Sequence, residues 1–115
     1  MRGFFYWLNR KLVTDLYSLQ NPNVFEVLYL RYAKSGHIVH AYFSGKPNTV
    51  LASGTVLTAI NLPQAAIQQD CRVTSAYGRG EIEIIVNGTS ATLYLITSAP
   101  AGAWLRFNFS YISAT

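Results

Sequence analysis

The last strand of the chain constrains its fold more than any other stretch. Residues 103–112 read Ala-Trp-Leu-Arg-Phe-Asn-Phe-Ser-Tyr-Ile. Strand side chains alternate between faces, so Leu105, Phe107, Phe109 and Tyr111 share one side and Trp104, Arg106, Asn108 and Ser110 the other. An aromatic face needs a core, and a polar face needs water or a partner. Only three residues follow this strand in the sequence. The expectation is a β protein that closes its sheet with its C-terminus, the terminal strand being tied into the interior of that sheet.

The rest of the chain after Pro22 carries the same signature. Val24 to Ala33 is β-branched and aromatic, Lys34-Ser35-Gly36 is a turn, and His37 to Ser44 is the returning strand. Thr49–Ala52 and Thr55–Ile60 read as short strands, and Leu62-Pro63-Gln64-Ala65-Ala66 as a crossing connection. Arg72 to Tyr77 is a strand ending at a flexible tip, Gly78-Arg79-Gly80. Glu81 to Val86 and Ala91 to Thr97 pair across Asn87-Gly88, the strongest hairpin signal present. Short strands at regular spacing predict an all-β, antiparallel β-sandwich of jelly-roll-like kind.

Upstream the period changes. Phe5, Leu8, Leu12, Leu16 and Leu19 recur three or four apart, which predicts one short N-terminal α-helix over residues 4–19, ended by Asn21-Pro22-Asn23. The domain organisation expected is therefore a helix and linker over 1–22, serving as stalk or attachment, and a β-sandwich head over 23–115. With Arg2, Arg10 and Lys11 the stripe also suits a membrane surface, but packing against protein is the more ordinary use of such a stripe. The opening apolar run stops at Asn9-Arg10-Lys11, too short for a signal peptide or a membrane span.

Charge narrows the partners. Charged residues make up 12% of the 115, and the net charge is +4, with Arg2, Arg10 and Lys11 clustered at the start. No stretch carries the basic stripe of a nucleic-acid binder. Low charge with many rings and hydroxyls suits a subunit that hides surface in an oligomer. Cys71 stands alone, which excludes an internal disulfide and reads as a buried structural thiol.

The pattern from Lys34 to Ile112 resembles the C-terminal head domains of bacteriophage tail fibres and receptor-binding proteins. The likeness rests on Lys34-Ser35-Gly36-His37-Ile38-Val39 with Phe43-Ser44-Gly45, and on Leu62-Pro63 ahead of a strand and the Gly78-Arg79-Gly80 tip. It continues through Glu81-Ile82-Glu83-Ile84-Ile85-Val86-Asn87-Gly88-Thr89 and Ala99-Pro100-Ala101-Gly102, to the strand ending Phe109-Ser110-Tyr111-Ile112. The resemblance implies a homotrimer made in the host cytoplasm and carried at the virion tail tip. It would contact other tail or baseplate proteins and bind a host-surface saccharide or protein without catalysis. The same strand pattern suits a cellular trimeric jelly-roll interaction domain of tumour-necrosis-factor or complement-head shape, or a lectin.

The residues themselves offer little catalytic chemistry. Glu81 and Glu83 sit about 7 Å apart on one strand face, a spacing a glycosidase can use, although a solvated strand face explains them as well. His37 and His40 point to opposite faces and cannot share a metal. No catalytic residue, metal site or cofactor is expected. Sugar recognition needs flat aromatic faces beside groups that donate and accept hydrogen bonds. Trp104 with Arg106 has that combination, Tyr77 with Arg79 repeats it at the tip, and His40 shares a face with Tyr42. For Trp104 a subunit interface is the competing use.

Overall fold

A computed structural model describes residues 14–75 and 80–115. Among them the chain forms nine strands in two antiparallel sheets, and its one helical element is the 3-10 turn Pro22–Val24. The first sheet runs in the order β1 (Asp15–Leu16), β3 (Phe25–Ser35), β4 (Ile38–Pro47), β9 (Leu105–Ile112). The second runs β2 (Ser18–Leu19), β5 (Val56–Ile60), β8 (Ser90–Leu95), β7 (Glu81–Asn87), β6 (Gln69–Thr74).

The helix expected over residues 4–19 is not what its described end forms. Asp15 and Leu16 pair with Tyr32 and Arg31 in the first sheet, whereas Ser18 and Leu19 pair with Ile60 and Ala59 in the second. The chain changes sheet at Tyr17, which is buried and whose hydroxyl donates to the Tyr42 carbonyl at 3.0 Å. Leu16 is exposed and Leu19 buried, so a three-residue spacing that reads as one helical face here places two leucines in different sheets. Burial in a two-sheet core outweighs a marginal helical propensity. Residues 4–13 of the expected helix lie outside the described residues.

One core fills the space between the sheets. Leu30, Val39, Ala41, Phe43, Leu105, Phe107, Phe109 and Tyr111 face inward from the first sheet. Leu57, Ile82, Ile84, Val86, Leu93 and Leu95 meet them from the second. The rings form a run: Phe25 meets Phe43 edge-on at 5.6 Å, Phe43 stacks on Phe107 at 4.6 Å, and Phe109 and Tyr111 continue the stack. Gly45 sits beneath this run because a Cβ there would lie 2.7 Å from the Phe25 ring.

The last strand alternates as its sequence predicts, but it does not lie in the interior of its sheet. Strand β9 pairs with β4 alone and forms the sheet edge. That edge is covered instead. Ala66 N–H donates to the Ile112 carbonyl, Ala65 bridges Ser113, and Gln69 reaches Ile112 with its side chain. The same 62–66 connection bonds the β7–β8 turn through Leu62 and Ala65, so one crossing segment fastens both sheets.

Smaller differences have local causes. The β7–β8 turn centres on Gly88-Thr89, one residue later than Asn87-Gly88, with Gly88 at φ +61° as a two-residue hairpin requires. Of Thr49–Ala52, only Leu51 pairs, through a bridge to Ala99. Cys71 is half-buried because β6 is an edge strand, and burial, with Asp70 nearby, pushes its thiol pKa up.

Candidate functional site

The outer face of the β4–β9 pair assembles four of the residues expected to bind. Antiparallel register sets Ile38 beside Ile112, His40 beside Ser110, Tyr42 beside Asn108, and Ser44 beside Arg106. Strand β3 adds Ala33, Arg31 and Tyr29 across from His40, Tyr42 and Ser44. The rows from Tyr29–Ala33 to Arg106–Ser110 contain Arg31, His40 and Arg106 and no carboxylate. Asp70, Glu81 and Glu83 lie in the strands of the other sheet.

Trp104 and Arg106 form a unit. The guanidinium carbon lies 4.4 Å from the Trp104 ring centroid, and Arg106 Nε donates to Ser44 Oγ at 3.1 Å. A planar cation on a ring face gains electrostatic attraction and is held flat. Beside it an open groove of about 320 Å³ is lined by Tyr42, Ser44, Thr74, Arg106 and Asn108. Thr74 comes from the second sheet, where the end of β6 nears β9. His40 stands at the far end, its Nδ1 2.9 Å from Ser110 Oγ, outside the groove.

On the other side of Trp104 lies a smaller, more enclosed cavity of about 70 Å³, whose walls include Ser75, Ile82, Thr97, Ala99 and Leu105. Ser75 is 4% exposed, and its Oγ has no hydrogen-bond partner among the described residues. Its backbone N–H donates to the Gly80 carbonyl at 2.7 Å. Tyr77 and Arg79, which fall between these two residues in sequence, lie outside the described residues.

Sequence reasoning missed Ser44, Thr74 and Ser75. Ser44 had a signal, since it sits two residues from Tyr42 on the same strand face. Thr74 and Ser75 had none, because their place depends on β6 meeting β9 across two sheets.

The acidic pair does not converge on a cleft. Glu83 lies 3.9 Å from Arg72 on the outer face of the second sheet, while Glu81 edges the small cavity. No group of His, Cys, Asp and Glu among the described residues is placed to hold a metal. His37 sits in the β3–β4 turn, its Nδ1 2.9 Å from the Thr115 carbonyl oxygen. No described helix is long and apolar enough to cross a membrane. Comparisons with family models, curated proteins and solved structures found no match for this chain.

Proposed function

We propose that this chain is a non-enzymatic adhesion module of the bacteriophage tail-fibre head type, which recognises a host-surface saccharide or protein and works as a homotrimer. The observation that carries it is the Trp104–Arg106 stack beside a groove lined by aromatic, hydroxyl and amide side chains. A ring face meets the C–H face of a sugar, while Tyr42, Ser44, Thr74 and Asn108 match its hydroxyl edges in both donor and acceptor roles. A groove of about 320 Å³ also falls at the small end of the range usual for small-ligand sites.

Assembly is supported by apolar side chains left at the surface. Leu16, Tyr29, Ile38, Tyr42 and Ile112 are all exposed on the first sheet, apolar area that a partner subunit can cover. Within the same proposal the two sheets form a jelly-roll-like head. The pairings of β4 with β9 and β5 with β8 support this, since they bring early strands beside late ones as Greek-key closures do. The module would sit at a tail tip against other tail or baseplate proteins, with no cofactor, metal or nucleic acid in its work.

Adsorption of labelled chain to host-type bacterial cells, with purified cell-wall polysaccharide as competitor, tests the reading. Saturable binding that polysaccharide displaces and Trp104→Ala weakens at least tenfold is expected. Retention of full binding by a folded Trp104→Ala variant would remove the site.

A further inference from the structure

We propose that the enclosed cavity behind Trp104 is a pocket for an acetyl group carried on a sugar whose ring stays outside. The inference rests on the saccharide adhesion proposed above and names the substituent that this site selects.

Size comes first. The cavity of about 70 Å³ is far smaller than the neighbouring groove of about 320 Å³. At about 10–15 Å³ of such space per water it holds a handful of waters, room for a short branched group rather than a whole sugar. The sugar ring must then remain at the mouth, beside Trp104.

Chemistry comes second. Ile82, Ala99, Pro100 and Leu105 make much of the wall apolar, and Ser75 and Thr97 add hydroxyls. Thr97 Oγ1 already lies 3.3 Å from the Glu81 N–H as its acceptor. Ser75 Oγ is buried and has no partner among the described residues, a state that polar groups in folded proteins rarely keep. Rotation about χ1 moves that hydroxyl among three staggered positions, so it can donate into the cavity. The matching group has a methyl end for the apolar wall and one acceptor oxygen for Ser75. An acetyl group is that shape. A free amine would find Glu81 at the cavity's edge but, like a hydroxymethyl, would leave the apolar walls unmatched. Acetyl groups occur on sugars through nitrogen or through oxygen, and the cavity chemistry is the same for both.

Amide chemical-shift titration of the ¹⁵N-labelled full chain tests this, with N-acetylglucosamine, 6-O-acetylglucose, glucosamine and glucose as probes. At least one acetylated sugar should shift Ser75, Gly80, Ile82 and Ala103, and bind at least fivefold tighter than its unacetylated parent. Which of the two does so identifies the linkage. Ser75→Ala should raise the Kd for that sugar at least fivefold without lowering the Tm, because it removes a buried hydroxyl that no described residue pairs. Ala103→Leu, at the exposed rim, should block the mouth and abolish the same preference. Equal binding of acetylated and unacetylated sugars, or unchanged affinity in both variants, overturns the pocket. If all four sugars bind alike and Trp104→Ala removes them together, saccharide adhesion stands and the acetyl pocket falls. If no probe shifts any amide, the pocket is overturned, and adhesion is then judged by the cell-wall competition alone.

Discussion

The side-chain amide of Gln69 pairs with the backbone of Ile112 through both its atoms. Gln69 Nε2 donates to the Ile112 carbonyl at 2.8 Å, and Gln69 Oε1 accepts from the Ile112 N–H at 2.8 Å. One side chain thus does the work of a neighbouring strand at the edge of β9, where open backbone invites pairing with another chain. Gln69→Ala should cost about 1–2 kcal/mol in urea unfolding, since each hydrogen bond contributes roughly 0.5–1.5 kcal/mol net. An unchanged midpoint would show that water replaces the amide without loss.

The two faces of β9 should respond very differently to substitution. Phe109 is 3% exposed and stacks between Phe107 and Tyr111, so Phe109→Ala should cost about 3–5 kcal/mol. Asn108 is exposed on the opposite face, and Asn108→Ala should stay within about 0.5 kcal/mol. Comparable losses at both positions in chemical denaturation would contradict the assignment of faces.

Gly45 should not tolerate even a methyl group. A Cβ there would lie 2.7 Å from Phe25 Cδ1 and 3.1 Å from Leu28 Cδ1. Gly45→Ala should destabilise by about 1–3 kcal/mol, the usual range for overpacking. Phe25→Leu, by removing the ring atoms in the way, should recover part of that loss in the double variant.

Two buried tyrosines set an alkaline limit. Burial raises the pKa of Tyr17 first, with Tyr111 adding to it, and burial likewise raises that of Tyr111, with a contribution from Tyr32. Both hydroxyls donate to carbonyls, Tyr17 to Tyr42 and Tyr111 to Pro63. The folded state therefore keeps its protons where the unfolded chain has lost them. Stability is complete below the ordinary tyrosine pKa of about 10 and falls as pH rises above it, by up to about 1.4 kcal/mol per pH unit for each group. Urea midpoints between pH 8 and 12 should show this fall, and Tyr17→Phe should flatten it. A pH-independent midpoint in that interval would contradict the burial of these hydroxyls.

Much of this fold was legible in the sequence where one period and one face decided the outcome. Leu105, Phe107, Phe109 and Tyr111 alternate strictly, and they are buried as alternation requires. Leu16 and Leu19 misled because a spacing of three fits one helical face and also fits two strands that part at Tyr17. Nothing local to Tyr17 reveals that its hydroxyl meets the Tyr42 carbonyl, a contact made across 25 positions. Deleting residues 1–20 is accordingly expected to take Tyr17 and Leu19 out of the core and destabilise the β fold. The site was half legible. Trp104 and Arg106 share a strand face by alternation, but their company with Thr74 and Ser75 depends on how two sheet edges meet.

The central claim is that the Trp104–Arg106 corner receives a host-surface saccharide. Its most direct measurement is an amide chemical-shift map of the full chain with purified cell-wall polysaccharide fragments. The account predicts perturbations clustered at Tyr42, Ser44, Thr74, Trp104, Arg106 and Asn108, and their loss in Trp104→Ala. Perturbations confined to the outer face of the second sheet, around Thr92, Tyr94 and Glu83, or none at saturating polysaccharide, would contradict it.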